Sequence, residues 1–83
     1  MNPLLDTETR WLRIAGDQLT GRRIKAVRYM TKTEQSNLGW AHRPVVIELD
    51  NGHLIWPSAD DEGNDAGAIF TTSKHQPVLP VMR

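Results

Sequence analysis

The sequence predicts a small α+β domain: an N-terminal helix packed on a mostly antiparallel sheet of about four strands, which could curl into a half-barrel. Three observations predict it. An apolar pattern with helical spacing runs over the first twenty residues. Two apolar runs flank the dipeptide Asn51-Gly52, the strongest short-range signal for a hairpin. Short runs rich in β-branched residues lie on either side of that hairpin. The chain has 83 residues, enough for a single domain spanning 1–83 with a modest core.

The helix is expected over Leu4–Leu19. Asp6 would cap its N-terminus by accepting from free amides of the first turn. Trp11, Leu12, Ala15 and Leu19 form one apolar stripe. Gly16 weakens the helix by about 1 kcal/mol relative to alanine, and Thr20-Gly21 ends it. Arg22–Met30 fits either helix or strand. The strand is favoured, because a hairpin alone is marginally stable and needs further strands. Thr31–His42 is polar and reads as a loop, with at most one helical turn at Lys32–Ser36.

The hairpin comes next. A type I′ turn at Asn51-Gly52 would pair Asp50 with His53, Leu49 with Leu54, Glu48 with Ile55 and Ile47 with Trp56. That register gathers Val45, Ile47, Leu49, Leu54 and Trp56 on one apolar face, which becomes the expected core. Val46, Glu48, Asp50, His53 and Ile55 fall on the other. Ala68–Ser73 reads as a further strand. Pro77 and Pro80 restrict Val78–Met82 to an edge strand or an extended tail.

Composition narrows the functional classes. There is no cysteine, so disulfides and thiolate chemistry are excluded. No apolar run approaches the ~20 residues that span a bilayer, and the N-terminus lacks the features of a signal peptide. A soluble, cytoplasmic protein is the expectation. The formal net charge is zero, yet residues 1–43 carry eight basic and four acidic side chains, and residues 44–83 carry two and six. The two halves could neutralise each other within the fold, or present opposite faces to a partner or a second copy.

The principal candidate site is the segment Asp60-Asp61-Glu62-Gly63-Asn64-Asp65-Ala66-Gly67, which holds four of the ten acidic residues. Asp60, Asp61, Glu62, Asn64 and Asp65, with Trp40 if the loops converge, form the expected contact surface for a protein or small ligand. Carboxylates with an asparagine also suit hard cations, but the spacing fails an EF-hand. Counted from Asp60, the sixth and twelfth residues are Asp65 and Thr71, where glycine and glutamate belong. Asp and Asn equally build local turns without any ligand. Arg22, Arg23, Arg28 or Arg43 could clasp Asp60 or Asp61 by charge-assisted hydrogen bonds.

Other constellations are weaker. His42, His53 and His75 lack the short spacings of zinc sites. Arg22, Arg23, Lys25 and Arg28, with Tyr29, offer a basic strand of the kind that meets nucleic acid, although one aromatic residue and zero net charge argue against it. A nucleophile elbow and a phosphate-cradling glycine loop are both absent. No cofactor is called for. A non-enzymatic interaction module is the leading expectation, with a metal-dependent enzyme using Asp60, Asp61, Glu62 and His53, or a nucleic-acid binder, as rivals.

The stretches Leu49-Asp50-Asn51-Gly52 and Pro57-Ser58-Ala59-Asp60-Asp61-Glu62-Gly63-Asn64-Asp65-Ala66-Gly67-Ala68-Ile69-Phe70 resemble a signature of short bacterial proteins of unknown function. Leu19–Ile24 and Gly39-Trp40 are similar to the same pattern. The resemblance implies a bacterial, cytoplasmic, stand-alone domain and carries no activity with it.

Overall fold

The computed structural model describes residues 3–83, with side chains from Asp6 onward. The α+β class holds. Helix α1 (Pro3–Leu19) precedes strand β1 (Ile24–Tyr29), helix α2 (Lys32–Leu38) and strands β2 (Val45–Leu49), β3 (Leu54–Ile55), β4 (Ile69–Phe70) and β5 (Val78–Leu79). Strands β1-β2-β3 form one antiparallel sheet, and β4 and β5 pair as a second. The sheets do not close into a barrel.

Helix α1 starts earlier than the spacing suggests. Pro3 is already helical, since its fixed φ and missing amide suit a first turn. Asp6 lies inside that first turn rather than before it, where its charge still favours the positive end of the helix dipole. The helix stands away from the sheets. Its described side chains are exposed throughout, with only Gly16 half-buried.

The segment read as a loop contains a well-capped helix. Thr31 Oγ1 accepts from the Glu34 amide at 3.1 Å, and Glu34 Oε1 accepts from the Thr31 amide at 2.8 Å. This reciprocal capping box starts α2. Gly39, at φ 70°, closes it in the left-handed conformation.

The hairpin exists but its register differs by one residue from the expectation. Ile47 pairs with Ile55 and Glu48 with Leu54. The Leu49 amide donates to the His53 carbonyl at 2.9 Å, and the Gly52 amide to the Leu49 carbonyl at 3.0 Å. Among the described residues no non-glycine has positive φ, whereas Gly52 sits at 88°. A type I′ turn needs positive φ at both Asn51 and Gly52, so it is ruled out. The connection is instead a three-residue loop: a turn followed by a left-handed glycine. Asn51 spends its side chain locally, with Oδ1 accepting from the His53 amide at 3.1 Å.

The slip changes which residues face the core. Trp56 and Leu54 are 43% and 41% exposed rather than buried. They share a face with Val46 and, with Met30, Glu34 and Leu38, line an open apolar groove of about 250 Å³. His53 is exposed as well. The core centres on β2, which is paired on both edges. Val45, Val46 and Leu49 are all buried, so β2 is covered on both faces, with Met30, Trp40 and Pro44 completing the interior. One face packs against Met30 and Trp40. On the side of Tyr29 the C-terminal tail closes the structure. Tyr29 Oη donates to the Pro80 carbonyl at 3.0 Å, and Arg43 and Met82 exchange backbone hydrogen bonds.

Candidate functional site

The acidic segment is a closed, internally bonded loop. Its base is a bridge between Ser58 and Ala66. The Ala59 amide donates to the Asp65 carbonyl at 2.8 Å, and the Gly67 amide to the Pro57 carbonyl at 3.1 Å. Ser58 Oγ donates to the carbonyls of Asp60 and Asp65. The strands of the base approach so closely that a Cβ on Gly67 would lie 2.9 Å from the Ser58 carbonyl oxygen. Glycine is required there for lack of space.

Asp60 organises the tip. Its Oδ1 accepts from the amides of Glu62 and Asn64 at 3.0 and 3.2 Å, and its Oδ2 from Asn64 Nδ2 at 2.7 Å. The Asn64 side-chain bond, then its backbone amide, hold the Asp60 carboxyl below its ordinary range. Gly63, at φ 71°, turns the chain between them.

Asp65 ties the loop to the segment after α2. Its Oδ1 accepts from the amides of Ala41, His42 and Ala66 at 3.1, 3.1 and 2.8 Å. His42 Nδ1 lies 3.0 Å from Asp65 Oδ2, a bond made when the ring carries its proton on Nδ1. The His42 side chain first, and the Ala66 amide next, hold the Asp65 carboxyl down to about 2. Trp40 adds a third tie: Nε1 donates to the Gly63 carbonyl at 2.6 Å. Its ring is buried against Met30 and Val46, with half-buried Ala66 packed on them. Trp40 therefore meets the loop from within.

The carboxylates thus divide. Asp60 and Asp65 satisfy backbone amides. Asp61 and Glu62 are exposed at the tip; of these Glu62 accepts a 3.3 Å bond from Asn64 Nδ2.

The arginines proposed as a clasp are engaged elsewhere. Arg22 lies 3.7 Å from Asp50. Arg28 makes a two-pronged pair with Glu34, at 2.8 and 3.1 Å. That pairing raises the Arg28 pKa and, with the Thr31 amide, lowers that of Glu34 to about 2. Arg43 donates to the carbonyls of Met30 and Arg83. Among the described residues none of Arg22, Arg23, Arg28 and Arg43 forms an ion pair with Asp60 or Asp61.

Lys25 of the basic strand lies 3.8 Å from Glu48. With Arg22 and Arg28 also facing carboxylates, three of its four cations are partly neutralised. Among the described residues no group of three His, Cys, Asp or Glu is placed to share a metal ion. None of the described helices is long and apolar enough to cross a membrane.

The loop is legible in the sequence, as are the turn-building and contact roles open to its residues, but not which carboxylate takes which role. The distinction between Asp60/Asp65 and Asp61/Glu62 had one partial signal. An aspartate two to four residues before glycine and asparagine favours a side-chain turn, as Asp60 makes here. The Asp65–His42 tie joins segments 23 residues apart and had no local signal. Compared with protein-family models, curated proteins and solved structures, the chain matches none.

Proposed function

We propose that the chain is a non-enzymatic interaction module that offers the Asp60–Gly67 loop, as a preformed acidic projection, to a basic partner. The observation that carries this reading is the division of labour among the loop carboxylates. Asp60 and Asp65 hold the loop in one shape, so Asp61 and Glu62 are displayed with little ordering cost left for binding. Loops fixed on a scaffold are a usual place for recognition. A cysteine-free chain fits a reducing cytoplasm.

The test is an NMR titration with a short lysine- and arginine-rich peptide. The reading predicts amide shifts centred on Asp61 and Glu62. They should weaken with added salt, as exposed charge pairing does, and vanish in an Asp61→Asn/Glu62→Gln double variant. Shifts absent or centred on another surface would overturn it.

A further inference from the structure

The uncovered apolar stripe of α1 gives the molecule a second surface, independent of the acidic loop. Trp11, Leu12 and Leu19 are 59%, 72% and 47% exposed, and Ala15 between them is exposed too. Helices of this length owe most of their stability to packing of the apolar face, and isolated ones are marginal in water. Gly16 in the interior lowers the intrinsic helicity further. A 17-residue helix with this composition therefore calls for a covering surface.

Charge selects among the possible covers. Glu8 lies on the same stripe, one turn before Trp11 and Leu12. The opposite face mixes Asp6 and Asp17 with Arg13, and Arg10 reaches over the edge of the stripe to the Trp11 ring at 6.0 Å, a mixed pattern unlike the basic faces of helices that lie on anionic lipid. Just past the far end of the stripe is Arg23, exposed and, among the described residues, without an ion pair.

We infer that α1 pairs antiparallel with α1 of a second copy of this chain, about a two-fold axis near Ala15. Such an axis sets each Trp11 opposite Leu19 of the second copy. It sets each Glu8 opposite the Arg22-Arg23 turn of the second copy, so the one acid on the stripe meets an unpaired cation twice. Ala15 and Gly16 at the crossing let the two backbones approach. Ile24 and Val27 of β1 are also exposed (62% and 60%). A helix of about 25 Å provides an interface at the small end of the specific range, so dissociation on the order of micromolar is expected.

Sedimentation velocity over a concentration series, with far-ultraviolet circular dichroism alongside, tests the pairing. The full chain should pass from monomer to dimer, and helix content should rise as it does. Trp11→Ala, at an exposed position, should weaken the dimer by at least about tenfold while leaving the hairpin amide spectrum unchanged. Glu8→Arg and Arg23→Glu should each weaken it, and the double exchange should restore it. A chain that remains monomeric, a dimer indifferent to Trp11→Ala, or single and double exchanges of equal effect would overturn the inference. So would binding to phosphatidylglycerol vesicles by a chain that does not dimerise. None of these outcomes bears on Asp61 and Glu62, so the acidic-loop reading stands or falls separately.

Discussion

Asp65 shows how one carboxylate can serve as structure rather than as chemistry. It satisfies three backbone amides and the His42 ring across two segments. Its pKa is lowered from 3.8 to about 2 by those bonds, and that of Glu34 from 4.5 to about 2 chiefly by Arg28. A depressed carboxylate pKa stabilises the fold fully above its unfolded value and loses that contribution as pH falls through the folded value. Thermal stability should therefore be level above pH 5 and decline between about 4.5 and 2. Asp65→Asn and Glu34→Gln should each flatten part of that decline, which melting curves across pH would show. Equal slopes in parent and variants would contradict the assignment. Trp40→Phe keeps the ring but removes the donor to Gly63. It should cost about 1 kcal/mol in chemical denaturation. At the centre of the core, Val46→Ala should cost roughly 2 kcal/mol.

At the scale of elements, caps and turns decide more than apolar pattern does. Helix α2 has no buried residue and rests on its termini. Thr31→Ala removes half of the capping box and should cost about 1 kcal/mol, with faster amide exchange confined to Lys32–Leu38. The signal was present in sequence as Thr31-x-x-Glu34 followed by Gly39, but the polar surroundings favoured reading a loop. The Asn51-Gly52 hairpin was legible as an element and misleading as a register. Both connections place glycine at a reversal, and they differ in the φ of Asn51, which local sequence does not fix. That one angle moved Leu54 and Trp56 from the expected Ile47/Leu49 face to the Val46 face, where they line the groove half-exposed. Strand β1 is legible on tertiary grounds, since the hairpin needs a neighbour, and β1 pairs with β2 from Ile24 to Tyr29.

Across the whole molecule, the halves of opposite charge neutralise each other only in part. Arg22–Asp50 and Lys25–Glu48 join them in the sheet, whereas among the described residues the tip carboxylates Asp61 and Glu62 form no ion pair. The position of the acidic loop was readable from composition. Its tether to residues 40–42 was not, because it depends on contacts between distant segments. The same holds for the C-terminal tail, whose Pro80 carbonyl and Met82 backbone anchor Tyr29 and Arg43. The central claim is that the acidic loop is held in one shape by its own inward carboxylates. Amide hydrogen exchange at Ala41, His42, Asn64 and Ala66, measured by NMR in the full chain and in Asp65→Asn, tests it most directly. The account predicts slow exchange at all four in the parent, with Ala41, His42 and Ala66 accelerated in the variant and Asn64, held by Asp60, changed least. Exchange in the parent as fast as in an unstructured peptide would contradict it.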